Sequence, residues 1–236
     1  MKKLSYLLCA VLLVCSSNVF ASTITVSDVV SSWQNSIPPA PPIIISNGDP
    51  TSTASWGTST GFGPSSYVFT HTIPPDVSVV VPPSPSALFK LGNFTHNNNT
   101  IDAPFLESID LSLALNFTID SNPFNETFIY TFDHNETSNS SDPVASQDIV
   151  TIIPPSSGTS FSVDGVLYTL ELSFLLDNSP TNQFRTFENQ ANEAAIFGRF
   201  ISETETNPIP EPISMILFGT GSMLIGGFIR SRSKKS

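Results

Sequence analysis

Apolar and polar residues alternate without a break over IDLSLALNFTID. Ile109, Leu111, Leu113, Leu115, Phe117 and Ile119 share one side, and Asp110, Ser112, Ala114, Asn116, Thr118 and Asp120 share the other. Successive side chains of a strand point to opposite faces, so this period of two predicts a strand with one buried face. Ser121-Asn122-Pro123 then reads as a turn. Thr127 to Asp133 follows with Phe128, Tyr130 and Phe132 in phase, which predicts a hairpin. A second hairpin is expected in FSVDGVLYTLELSF, where Asp164-Gly165 is a favoured two-residue turn because both positions take positive φ. That turn sets Val163 opposite Val166 and Phe161 opposite Tyr168, with Leu170 and Leu172 on the same face. Shorter strands are predicted at 66–73, 77–81, 148–153 and 195–201.

Proline shapes the rest. IPPAPPIII carries Pro38, Pro39, Pro41 and Pro42, and further pairs stand at Pro74-Pro75, Pro82-Pro83 and Pro154-Pro155. Prolines this frequent break helices and collect at strand ends and edges. The prediction is an all-β chain folded as an antiparallel, jelly-roll-like β-sandwich over 47–206, with no internal repeat. A Pro-rich N-terminal segment, 22–46, precedes it as a stiff spacer or an edge segment. The stretch 133–148, rich in Asn, Ser and acids, reads as an exposed loop.

Both ends depart from this pattern. Lys2 and Lys3 precede an apolar run from Leu4 to Val14, and Val19-Phe20-Ala21 offers small or short residues where a signal peptidase reads. This predicts a secretory signal helix over 1–21, cleaved after Ala21. At the other end, Ile213 to Ile229 is apolar, followed by Arg230, Arg232, Lys234 and Lys235. Seventeen helical residues span about 25 Å, just short of a ~30 Å hydrocarbon layer. The basic cluster holds the C-terminus on the cytoplasmic side, so the domain ahead of this single transmembrane helix faces outward.

Composition sharpens the picture. Cys9 and Cys15 are the only cysteines and both lie in the signal, so the mature chain has no thiol or disulfide chemistry. Between residues 22 and 206, Lys90, Arg185 and Arg199 face nineteen acidic residues, a net charge of −16. Such a surface repels nucleic acid and anionic lipid. Acidic charge is also an ordinary route to solubility.

Candidate chemistry is sparse. His71, His96 and His134 are the histidines, with Asp102 near His96 and Asp133 beside His134. Their spacing matches no established ligand pattern, so the expectation is no metal, no cofactor and no catalytic residue. His96 and His134 are read as hydrogen-bonded in loops beside strands. Trp33, Trp56 and Tyr67 could stack on sugars if exposed, but a core position is favoured, with Trp56 closing one end of the sandwich.

The tail carries a resemblance. Pro210-Glu211-Pro212, then an apolar helix, then an Arg- and Lys-rich terminus is similar to the PEP-CTERM sorting signal over residues 208–236. That resemblance implies recognition by exosortase, a membrane protease, and removal of the tail on the way to the surface. LGNFTHNNNTI (91–101), with Trp56-Gly57 before it and DIVTI (148–152) and the Asp164-Gly165 turn after it, resembles the choice-of-anchor K domain over about 45–200. Leu91, Gly92, Phe94, Thr95, His96, Asn98 and Ile101 match that family's run, while Thr100 replaces its usual Pro. The implied role is an exported bacterial domain, passing through an inner-membrane intermediate to the cell surface or matrix. The expectation is a non-enzymatic structural or adhesive protein whose partners are signal peptidase, exosortase, the membrane in transit and exopolysaccharide. A carbohydrate- or calcium-binding module and a secreted hydrolase are the alternative readings.

Overall fold

A computed structural model describes residues 20–40, 42–81, 85–154, 160–163 and 166–203. The helices expected at 1–21 and 213–229 lie outside those residues, apart from Phe20 and Ala21, which belong to a strand and not to a helix. No helix among the described residues is long and apolar enough to cross a membrane. In chain order the strands are β1 (Phe20–Ile37), β2 (Ile44–Asn47), β3 (Thr51–Trp56), β4 (Thr58–Ser59), β5 (Ser65–His71), β6 (Val77–Val81), β7 (Phe89–Asn98), β8 (Ile101–Asp102), β9 (Ser108–Ile119), β10 (Asn122–Asn135), β11 (Asp148–Ile153), β12 (Ser160–Val163), β13 (Val166–Leu176), β14 (Ser179–Thr181), β15 (Gln183–Thr186) and β16 (Gln190–Glu203).

The protein is all-β. One sheet has six strands in the order β15-β11-β10-β9-β1-β6. The other has the order β12-β13-β16-β7-β5-β3-β2, with β14 paired to β13, and β4 and β8 form a small third sheet. Neighbours in these sheets run antiparallel. Inner faces of the two large sheets meet in an aromatic core. Phe117 of β9 lies 5.0 Å from Phe161 and 5.8 Å from Phe200, and Phe132 of β10 lies 6.0 Å from Phe174. Edge-to-face and offset contacts of this kind suit the ring quadrupole.

The two predicted hairpins form. β9 alternates buried and half-buried along its whole length. Its turn sits earlier than expected, however, at Asp120 (φ 47°) and Ser121 (φ 73°). Ile119 pairs with Asn122, so Pro123 stands inside β10 opposite Thr118. The missing N–H of Pro123 is tolerated because β11 reaches β10 only from Thr131 to Asn135. In the second hairpin Val163 pairs with Val166 and Phe161 with Tyr168, the register that the Asp164-Gly165 turn implies.

The 22–46 segment needs correcting. Ser22 to Ile37 is not a spacer ahead of the domain but most of β1, which lies between β9 and β6. Its alternation is hidden by a register shift between Val26 and Asp28. Ile24 and Val26 face inward before the shift, and Val29, Ser31 and Trp33 after it. A bulge adds one residue and so moves the buried phase by one. The prolines that follow carry the chain across to β2 at the edge of the larger sheet.

β7 uses the same device. Ile196 pairs with Gly92 and Phe197 with Lys90, which leaves Leu91 as the extra residue. Phe89 and Leu91 are buried on one side of this bulge, and Phe94, His96 and Asn98 on the other. Gly92 permits close approach: a Cβ there would meet the Thr70 carbonyl oxygen at 2.5 Å.

Candidate functional site

Three strands carry their buried phase into polar residues at the same end of the sandwich. On β7 the phase runs Phe94, His96, Asn98. On β10 it runs Phe128, Tyr130, Phe132, His134. β11 begins it with Asp148, ahead of Val150 and Ile152. His96 belongs to the larger sheet, and His134 and Asp148 to the smaller. Their side chains meet across the core: the imidazole centroids are 5.2 Å apart and perpendicular. The side chains of His134 and Asp148 are fully buried, and His96 is 0% exposed.

Aromatic rings wall this cluster. Trp56 stacks on His96 at 5.7 Å and meets His134 edge-on at 5.2 Å. Tyr67 meets the two imidazoles edge-on at 5.0 and 5.6 Å. Glu136, just beyond β10, and Glu188, just beyond β15, are half-buried beside Asp148.

Hydrogen bonds fix how the imidazoles point. His96 Nδ1 lies 2.9 Å from Thr186 Oγ1, the last residue of β15. That hydroxyl also lies 3.5 Å from the Asp148 carbonyl oxygen and 3.4 Å from Asn98 Nδ2. When its proton goes to Asp148, His96 Nδ1–H is the donor to Thr186 and the lone pair of the neutral ring stands on Nε2. His96 Nε2 is buried without a hydrogen-bond partner. His134 Nδ1 lies 2.6 Å from Tyr67 Oη, and its Nε2 is 3.2 Å from Glu136 Oε2 and 3.9 Å from Asp148 Oδ2. Asp148 Oδ1 accepts the Thr137 N–H at 2.8 Å, while Asp148 Oδ2, Asn98 Oδ1 and Glu188 Oε1 are buried without partners.

Charge is short of compensation here. Burial lowers the His96 pKa well below the ordinary histidine value, with His134 adding to the effect. Burial likewise takes His134 down to about 4, against the pull of Asp148 and Asp133. Burial pushes Glu136 up to about 7. It does the same to Asp148, where Glu136 and Glu188 add to the rise and the Thr137 N–H and His134 oppose it. Glu188 is raised by burial and by Glu136. Near neutral pH the site thus holds neutral imidazoles beside carboxyl groups that release their protons reluctantly.

The structure sorts the sequence candidates. His96 and His134 lie on strands, not in loops. Asp133 is exposed on the opposite face of β10, and Asp102 is exposed on β8. Residues 133–148 are not an exposed loop throughout, since His134, Ser146 and Asp148 are buried. His71 is elsewhere, with Nδ1 3.1 Å from Ser31 Oγ and Nε2 3.1 Å from Asp49 Oδ1. Trp33, Trp56 and Tyr67 are all core residues, so none offers a ring to a sugar. Ala21 pairs with Val80 in β1. Pro210, Glu211, Pro212, Arg230, Arg232, Lys234 and Lys235 lie outside the described residues. Sequence reasoning missed Asp148, Glu136 and Glu188 as partners of the histidines. The signal was a titratable residue on the buried phase of each of three strands. No protein-family model matches the chain, and no curated protein matches it at a significant level.

Proposed function

We propose that this chain is an exported surface or extracellular-matrix protein of bacteria, with a non-enzymatic structural or adhesive role. A jelly-roll-like sandwich is its working part, with a signal segment at 1–21 and a sorting segment at 207–236 serving export and sorting. The observation that carries this reading is the order of charge and apolarity at the two ends. Lys2 and Lys3 lead into one apolar run, and Pro210-Glu211-Pro212 leads into another that closes on four basic residues. Positive charge on the inner flank of each run directs the acidic middle outward. The tail is the substrate of an exosortase-type protease, and exopolysaccharide is the contact at the destination. Cleavage after Ala21 keeps β1 from Ser22 onward, including the pairs Ser22–Val79, Thr23–Ser78 and Ile24–Val77.

Mass spectrometry of the protein recovered from the surface of an exosortase-bearing host tests this reading. The expected mature chain starts at Ser22 and ends near Pro210-Glu211-Pro212. Surface protein with an intact Ser236 refutes processing, and untrimmed chain in the cytosol refutes export.

A further inference from the structure

The buried cluster at the end of the sandwich does more than complete a core. One nitrogen of each histidine and one oxygen of Asp148 lie within 4.8 Å of one another. Asp148 also belongs to a second such group with Glu136 and Glu188. Carboxylates alone mark no site. Here, however, His96 Nε2 and Asp148 Oδ2 are fully buried donor atoms without hydrogen-bond partners, on residues that converge with His134. While Asp148 is ionised and the His96 lone pair stands on Nε2, both atoms are acceptors and neither can bond the other. A cation satisfies both at once.

We propose that His96 Nε2, His134 Nε2, Asp148 Oδ2 and Glu136 Oε2 bind one divalent transition-metal ion of the zinc class, which clamps the two sheets together. Two imidazoles and two carboxylates make a four-coordinate donor set that suits Zn²⁺. Calcium prefers six to eight oxygens and has little use for imidazole nitrogen. Ligand atoms of a tetrahedral zinc at ~2.0–2.1 Å lie about 3.4 Å apart. The His96, His134 and Asp148 atoms therefore need to contract by no more than about 1.4 Å from the 4.8 Å bound, and Glu136 Oε2 already stands 3.2 Å from His134 Nε2. Outer contacts are already in place. Thr186 Oγ1 holds the far nitrogen of His96, Tyr67 Oη that of His134, and the Thr137 N–H holds the far oxygen of Asp148. Partners of this kind orient metal ligands and set the imidazole tautomer. Trp56 and Tyr67 shield the site, as a structural site requires. Binding displaces any proton on the two carboxyl groups to solvent. In a mature chain without cysteine, the ion serves as a cross-link between β7 and the β10–β11 pair.

Zinc titration of the full-length chain tests this, after EDTA treatment and purification in non-chelating detergent. The expected result is one bound Zn²⁺ per chain and a Tm higher by about 5–10 °C at a hundredfold excess over Kd, with Ca²⁺ at equal concentration giving no comparable rise. Asp148→Asn keeps the acceptor for the Thr137 N–H and should weaken zinc binding by about 100-fold or more. Glu136→Gln, at a half-buried position, gives a second variant that should weaken it by at least tenfold. Asp133→Asn, on the outward face of β10, should bind as the parent does. The proposal is overturned if zinc leaves Tm unmoved, if Asp148→Asn binds zinc like the parent, or if calcium gives the larger shift. A proton shared between Asp148 and an imidazole, in place of an ion, would show as the first of these outcomes.

Discussion

Gly92 gives the most exacting test of the packing. It follows the bulge in β7, and an added Cβ would stand 2.5 Å from the Thr70 carbonyl oxygen and 2.6 Å from Phe69 Cζ. The first obstacle is the backbone of β5, which is bonded to β7 on both sides of this point, as by Thr72 N–H to the Leu91 carbonyl at 2.8 Å. The second is a ring with no exposed surface. Neither can move alone. Overpacking of this kind costs about 3 kcal/mol at the upper end, and loss of glycine's freedom in the unfolded chain returns about 0.5–1. Gly92→Ala should therefore cost about 2 kcal/mol, or roughly 4–8 °C in Tm for a domain of this size. Gly198 in β16 is the control. A Cβ there would meet Leu91 Cδ1 at 2.8 Å and Leu170 Cδ1 at 2.9 Å, which are the far ends of side chains that can turn away. Gly198→Ala should stay within about 2 °C of the parent. Thermal unfolding followed by far-UV circular dichroism measures both. Equal losses at the two sites, or an unmoved Tm for Gly92→Ala, would show that the β5–β7 contact does not set the spacing as argued.

Further expectations concern other parts of the fold. Burial raises the pKa of Tyr67 well above its ordinary value, helped by Asp148, Glu136 and Asp133, and raises Tyr130 through burial and Glu171. Both hold their protons longer folded than unfolded, so their contribution is complete below pH 10. Above pH 10 each loses about 1.4 kcal/mol per pH unit until the folded pKa is reached. Absorbance at 295 nm should show these two phenols ionising together with unfolding, and a smooth titration near pH 10 in folded protein would contradict their burial. Ser121→Gly relieves a left-handed residue in the β9–β10 turn, and should raise stability by about 0.5–1 kcal/mol in urea unfolding; a loss would mean the Ser121 side chain stabilises the turn. Arg199→Ala removes an exposed pair with Glu171 and should cost no more than about 1 kcal/mol, again by urea unfolding.

What could be read from the sequence depended on an unbroken period. β9 kept its alternation for twelve residues, and the second hairpin joined such a pattern to a turn that sets register, so both were legible. β1 and β7 were not, because each contains a bulge that moves its buried phase between Val26 and Asp28 or around Leu91. The tight turn at Asp177 and Asn178, both with positive φ, was also missed, since it lacks glycine. The cluster failed for a different reason. His96 and Thr186 are 90 residues apart and touch only because β11 joins β15 in one sheet while β7 faces them from the other. A single sequence shows that a histidine sits on an inward phase, but not which strand it will face.

The direction of the strands has a mechanical consequence. β1 enters beside Ile119 at the far end of β9, and β16 leaves beside Phe117 through Phe200. The first and last described strands thus open on the same pole. His134 and Asp148 lie by the start of β9, where Asp133 pairs with Ser108. Twelve residues of strand, about 35–40 Å, separate the two poles. A load applied through the start of β1 or the end of β16 enters where the Phe117, Phe161 and Phe200 rings pack, at the pole of the described strands opposite the histidines.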